Sequence, residues 1–110
     1  EPMFVIVLTY TKPLAEVDRL MRAHVTFLEE CYRSGLFLAS GRQVPRRGGV
    51  ILALAGDRGS LETLMEQDPF VREGAATFEV IEFRTSLHHP ALAPFADAGT
   101  RAVRDVPAGG

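Results

Sequence analysis

Met3-Phe-Val-Ile-Val-Leu-Thr-Tyr10 is the stretch that decides the fold. Its β-branched and aromatic residues predict a strand. Both alternating sets are apolar, with Phe4, Ile6, Leu8 and Tyr10 on one face and Met3, Val5 and Val7 on the other. Because a strand that is apolar on both faces has to be covered on both, the sheet that contains it needs a cover on each side.

A long helix is predicted next, over Leu14–Ser34. Its apolar face recurs at spacings of three and four residues, typical of an amphipathic helix. The face consists of Val17, Leu20, Met21, His24, Leu28 and Cys31. Pro13 suits the first helical turn, and Gly35 suits the left-handed position that ends a helix.

The remaining pattern predicts strand, strand, helix and strand. The strands span Leu36–Gln43, Val50–Ala55 and Ala76–Arg84, with a loop over Val44–Gly49. Ser60 is expected to cap the second helix, which has to stop before Pro69 because the residue preceding proline disfavours helical geometry. A further helical turn is expected over Pro69–Arg72.

This order of elements, with right-handed crossovers, predicts an α+β fold. It is a ferredoxin-like βαββαβ domain over residues 1–85, with a four-stranded antiparallel sheet and both helices on one face. Residues 86–110 are expected to form a tail that packs on the surface of the domain or dimer near Leu87 and Phe95, fraying toward Gly110.

The helices leave one face of the sheet open, and that face is apolar. Soluble monomers rarely expose a patch of this kind. We therefore predict a homodimer that packs sheet against sheet with two-fold symmetry. The alternative is that the C-terminal tail covers the open face.

Composition excludes several classes of function. The net charge of −2 and the scattered basic residues do not form a nucleic-acid surface, and no apolar run reaches the roughly 20 residues of a membrane helix. The single cysteine, Cys31, excludes an intrachain disulfide, and with no signal-peptide pattern at the start this favours a cytoplasmic location. The adjacent His88 and His89 lack chelating spacing, so neither a metal nor another cofactor is expected.

His24 lies near the centre of the apolar stripe, so its ring is predicted to face the sheet. A buried imidazole needs partners for its nitrogens. The sequence leaves two interpretations open: a core histidine satisfied by a backbone carbonyl, or a general acid or base.

Asp68 is the candidate partner of His24. Followed by Pro69, it is a good helix N-cap, and a capping carboxylate can also accept from an imidazole. Such a carboxylate orients the ring and fixes which nitrogen carries the proton. We predict that the two side chains meet at the edge of a small apolar cleft.

Four further residues are candidates for binding a substrate. Gly41 would let a ligand approach the backbone closely, and Arg42 would bind an acidic group unless it is simply solvated. Tyr10 would donate a phenolic hydrogen bond, although an aromatic residue at the edge of a core needs no such role. Ser40 lies where the second strand turns polar. Cys31 is expected to be inert.

These residues resemble the YCII-related family of the dimeric alpha-beta barrel superfamily over roughly residues 3–84. The resemblance depends on His24-x-x-Phe27-Leu28, Ser40-Gly41 and above all Asp68-Pro69-Phe70-Val71-x-x-Gly74. It implies the ferredoxin-like fold, the dimer, and an active site in which His24 and Asp68 match the family's histidine and aspartate. In the family the Ser-Gly step is usually followed by proline, where this chain has Arg42.

The resemblance also implies a range of chemistry. A few relatives act in the breakdown of chlorinated aromatic compounds, and the superfamily includes muconolactone isomerase and cofactor-free monooxygenases. We therefore expect a small cofactor-independent enzyme, isomerase-, lyase- or dehalogenase-like, that uses His24 and Asp68 on a small, partly apolar, aromatic or lactone-like metabolite. A non-catalytic ligand-binding or regulatory dimer and an inert dimerisation domain are the alternatives.

Overall fold

The computed structural model describes residues 2–108 and contains the six predicted elements in the predicted order. The first four are β1 (Met3–Tyr10), α1 (Leu14–Arg33), β2 (Phe37–Arg42) and β3 (Gly48–Leu54). They are followed by α2 (Arg58–Met65), the single turn α3 (Pro69–Arg72) and β4 (Ala76–Phe83). The fold class is therefore α+β.

The four long strands form one antiparallel sheet in the order β2-β3-β1-β4. Ile6 of β1 lies between Ile51 of β3 and Val80 of β4, and all three side chains are buried. This register fixes the helix-facing side of the sheet, since alternate residues of each strand point the same way.

The core lies between this side of the sheet and the helices. Phe4 and Ile6 of β1 pack with Val17 of α1 and with Leu61 and Met65 of α2, and all five are essentially inaccessible to solvent. Gly35 has a φ of 79° and ends α1 as predicted, since glycine adopts this left-handed geometry at little cost.

The prediction that Ser60 caps α2 is wrong. The N-cap is Asp57, whose Oδ1 accepts from the Ser60 amide at 2.7 Å, so α2 begins at Arg58, before the predicted cap. Asp57 has the extended backbone that an N-cap requires, whereas Ser60 already lies within the first turn and hydrogen-bonds back to the same carboxylate.

The other face of the sheet is partly open. Val50, Ile81 and Phe83 are 36%, 43% and 45% exposed, so the described part of the tail leaves this part of the face uncovered. Met3 of β1 is buried on the same face, and Val5 and Val7 are half-buried.

The C-terminal tail has an internal structure that the sequence did not predict. A two-residue strand β5 (Leu87–His88) pairs in parallel with β6 (Arg101–Ala102), and a 3-10 helix (Pro90–Phe95) connects them. The Asp97 carboxylate accepts from the backbone and hydroxyl of Thr85 at 2.8 and 3.3 Å, which ties the tail to the end of β4. The predicted fraying at Gly110 concerns residues outside the described range.

Candidate active site

Asp68 enters the core as the N-cap of α3. Its Oδ1 accepts from the Phe70 amide at 3.0 Å, and Pro69 occupies the first helical position, where its missing N–H is no loss. The whole residue is inaccessible to solvent. A short capped turn, not a continuation of α2, thus carries a carboxylate into the apolar interior.

His24 meets that carboxylate from the middle of α1. Its Nδ1 lies 2.8 Å from the same Oδ1, across 44 residues of sequence. Because a carboxylate oxygen only accepts, Nδ1 carries the proton, which leaves Nε2 of the neutral ring as an acceptor. The ring also stacks on Phe70 at 3.8 Å with an interplanar angle of 9°, so two contacts fix its plane.

The second oxygen of Asp68 has no such partner. Oδ2 is buried and accepts no hydrogen bond from any residue between 2 and 108. A desolvated, half-satisfied carboxylate is costly, and among residues 2–108 His24 is the one potentially cationic side chain within 4 Å of it.

His24 opens onto a pocket of about 250 Å³ between α1 and the sheet. Leu8 and Ile51 form its floor, Met21 and Leu28 its roof, and Phe70 one end. Gly49 pairs with Leu8 on the neighbouring strand and adds no side chain to this floor. The pocket is thus mostly apolar and of a size for a small metabolite, slightly below the usual range for ligand sites.

All four predicted binding residues lie around this pocket, together with His24. Ser40 and Arg42 are on the helix-facing side of β2, level with Ile51 and Gly49. Tyr10 packs edge-on against Phe70, with ring centroids 5.9 Å apart. A ligand-binding role for any of them remains a prediction.

Two features of the rim were missed from the sequence. The Tyr32 hydroxyl lies 2.7 Å from Ser40 Oγ, so Ser40 is already engaged. Arg46 in the β2–β3 loop contacts Asp18 of α1 at 2.5 Å and lies 5.8 Å from the centre of the Tyr10 ring. The side-chain hydrogen bond with Asp18 raises the pKa of Arg46. Neither contact has a sequence signal, since the first depends on how α1 packs beside β2 and the second on how the loop folds back.

The turn that carries Asp68 is also held from its far end. Lys12 Nζ donates to the Glu73 carbonyl at 3.0 Å, and Thr11 Oγ1 donates to the Gly74 carbonyl at 2.9 Å. Gly74 has a φ of 73°, a conformation that suits glycine. The segment after β1 therefore anchors α3, which is why the Asp68 carboxylate has a defined position.

Cys31 is buried on the same face of α1. Burial first, and then the nearby charge of Asp68, raises the pKa of its thiol to about 11, so it stays protonated at neutral pH. Within residues 2–108, no group of three potential metal-binding side chains lies close together, and no helix is long and apolar enough to cross a membrane.

The sheet order, the helices on one face and the pocket between them define a ferredoxin-like α+β domain with a four-stranded antiparallel sheet. The YCII-related domain model matches residues 3–84. This chain therefore belongs to the YCII-related family, as its Asp68-Pro69-Phe70-Val71-x-x-Gly74 motif predicted. No curated protein sequence matches it significantly.

Solved structures share the fold at low sequence identity. One is the 5-chloro-2-hydroxyhydroquinone dehydrochlorinase of Burkholderia phenoliruptrix AC1100 in complex with 2,5-dihydroxybenzoquinone. It is 17% identical with a TM-score of 0.64, over 74% of this chain and 93% of that chain. A mutant of SnoaB, a cofactor-independent oxygenase from Streptomyces nogalater, is 18% identical with a TM-score of 0.47, over 81% and 96%.

Proposed function

We propose that this protein is a small enzyme that moves a proton on a small, partly apolar metabolite, with His24 as general base and acid. The observation that carries the proposal is the 2.8 Å contact between His24 Nδ1 and Asp68, on a ring whose other edge lines an apolar pocket. An apolar pocket with one fixed imidazole suits acid-base chemistry on a bound molecule.

In this mechanism Nε2 accepts a proton from the bound substrate. The imidazolium that forms is stabilised by the Asp68 carboxylate, whose charge is not otherwise neutralised within residues 2–108. The stacked Phe70 ring keeps the imidazole in plane while its charge changes. Return of the proton to another atom gives isomerisation, and loss of a leaving group gives elimination, so isomerase-, lyase- and dehalogenase-like reactions all fit.

The residues around the pocket would hold the substrate. Leu8 and Ile51 would contact its apolar body, aromatic or lactone-like rings included, while Tyr10 and Ser40 would offer hydroxyl groups. Gly41 presents backbone without a side chain, and a Cβ there would meet nothing within 4 Å.

The test starts from a panel of small quinones, phenols and lactones screened by thermal shift and then for turnover. The panel includes the 2,5-dihydroxybenzoquinone held by the dehydrochlorinase structure. On a confirmed substrate, His24→Asn should lower kcat by about 10²–10⁴, because asparagine keeps a donor toward Asp68 but lacks Nε2. His88→Asn, a histidine of the tail, is the matched control. Full turnover by His24→Asn would refute the proposal.

A second candidate is a ligand-binding or regulatory module without chemistry. It is favoured by the fact that Asp68 also has a structural role, since it caps α3 and anchors the His24 ring. Under this reading, compounds from the same panel would bind in the pocket and be recovered unchanged, and His24→Asn would alter their affinity without any effect on a reaction.

We also propose a homodimer formed through the open face of the sheet. The exposed Ile81 and Phe83 on that face support it, since soluble monomers seldom leave such a surface in water. Light scattering after size exclusion should give twice the 12.0 kDa chain mass. Ile81→Asp should shift the protein to monomer, whereas Val44→Asp, at a 91% exposed loop position, should not.

A further inference from the structure

The polar side chains that line the pocket are mostly hydrogen-bond donors, which restricts the kind of ligand that the pocket can bind. Those that line it belong to Tyr10, His24, Ser40 and Arg42. Tyr10, Ser40 and Arg42 offer O–H or N–H groups, whereas His24, whose Nδ1–H donates to Asp68, presents Nε2 as an acceptor. None of the four is a carboxylate or an amide, so a ligand that brings its own acceptors suits these side chains.

Arg42 is the main donor. It follows Ser40 by two residues on the helix-facing side of β2, and its neighbour across the sheet is Gly49, which has no side chain. Among residues 2–108, no carboxylate lies within 4 Å of the Arg42 guanidinium. Arg46, in contrast, is paired with Asp18.

The hydroxyl pair next to Arg42 supplies one more donor. Tyr32 and Ser40 lie 2.7 Å apart, and either can donate to the other. Two hydroxyl groups that share one hydrogen bond use one of their two protons, so one O–H remains for a ligand. Residues 40 and 42 lie roughly 7 Å apart along the strand, which a single bound group can bridge.

We propose that the pocket binds a small organic carboxylate, with the Arg42 guanidinium and the Tyr32–Ser40 pair holding the carboxylate at the rim. The apolar body then lies between Leu8 and Leu28, toward His24. A carboxylate fits better than a phosphate, because one guanidinium balances the single charge of a carboxylate but not the nearly double charge of a phosphate monoester. This proposal rests on the proposed function only in that both place a ligand in the same pocket.

The experiment measures binding, so it needs no knowledge of the reaction. The probes are benzoate, its neutral counterpart benzamide, and phenyl phosphate, titrated by two-dimensional NMR into the full-length protein at low and moderate salt. Wild-type protein should bind benzoate at least fivefold more tightly than either other probe. Arg42→Met, which keeps most of the aliphatic stem, should weaken benzoate roughly tenfold and change benzamide less than twofold.

Two further variants test which side chains contribute to the affinity for benzoate. Ser40→Ala should weaken benzoate roughly threefold, because it removes the hydroxyl of the pair that lines the pocket. Arg47→Met removes an exposed arginine that does not line the pocket and should leave the affinity for benzoate unchanged.

Three results would overturn the proposal: no preference for benzoate over benzamide in wild-type protein, tighter binding of phenyl phosphate, or equal losses in Arg42→Met and Arg47→Met. The two proposals can fail separately, because the His24→Asn variant should still bind benzoate more tightly than benzamide. Loss of turnover without loss of this preference supports both proposals, and retention of turnover refutes only the enzymatic one.

Discussion

Replacing Asp68 by asparagine and by alanine separates the charge of this residue from its role as an acceptor. Both hydrogen bonds of the Asp68 side chain, from His24 Nδ1 and from the Phe70 amide, end on the same oxygen, Oδ1. Asparagine can offer an equivalent oxygen in the same place, but it lacks the charge and puts an NH2 group in the position of Oδ2. Alanine removes the acceptor altogether.

The structure sets the size of the two effects. In Asp68→Ala, loss of the N-cap costs about 1–2 kcal/mol and loss of the charge-assisted bond to His24 about 1.5–3 kcal/mol. For a chain of 110 residues this corresponds to a fall in Tm of roughly 10–20 °C. In Asp68→Asn the hydrogen bond from His24 becomes weaker because its acceptor is neutral, which lowers stability. The substitution also removes a buried charge, which raises stability. The free energy of unfolding should therefore stay within about 2 kcal/mol of that of the wild type.

Circular dichroism melts give the stability, and long-range ¹H–¹⁵N spectra give the position of the imidazole proton. We expect the proton on Nδ1 of His24 in the wild type and in Asp68→Asn, because both keep an acceptor there. In Asp68→Ala the Nε2–H form should dominate. If Asp68→Ala melts within about 3 °C of wild type, or if Asp68→Asn is as unstable as Asp68→Ala, Oδ1 is not the anchor described here.

Two more predictions concern the frame around the site. Gly48→Ala should destabilise the protein by about 3 kcal/mol, because its Cβ would lie 1.8 Å from the Leu8 carbonyl oxygen; Gly41→Ala, where a Cβ meets nothing within 4 Å, is the control in chemical denaturation. Hydrogen bonds from the backbone and then the hydroxyl of Ser60 hold the pKa of Asp57 below its usual 3.8, so the stability it adds is full above that pH and is lost as pH falls through the lowered value. The difference in Tm between wild type and Asp57→Ala should therefore be largest at neutral pH and shrink below about pH 4, and a constant difference would contradict this.

The sheet could be predicted because the residues that determine it show a recognisable spacing of apolar positions along the sequence. The double apolar alternation of β1 required a covered sheet, and the three- and four-residue spacing of α1 gave its length to within one residue. The cap of α2 was missed because Asp57 and Ser60 are both good capping residues, and only the backbone geometry distinguishes them. The tail was missed because its order depends on the Asp97 contacts, not on any apolar period.

The candidate site was predictable where a local rule applied. His24 interrupts an apolar stripe and Asp68 precedes a proline, so each was noticeable alone, and the structure places them 2.8 Å apart. Their stacking partner Phe70 and the engagement of Ser40 by Tyr32 were not predicted. These contacts depend on how side chains from different helices and strands are directed toward one another, and the spacing of apolar residues in the sequence gives no information on that.

The choice of aspartate at position 68 is hard to explain by structure alone. A serine would cap α3 equally well and would leave no charged oxygen in the dry interior. The carboxylate instead has Oδ2 buried without a partner in the described chain, which costs stability. What it adds over serine is a fixed negative charge beside an imidazole that faces a pocket. Such a charge contributes most when the ring becomes positive, as it would on taking a proton from a bound molecule. The unpartnered oxygen therefore supports acid-base chemistry over a purely structural pair.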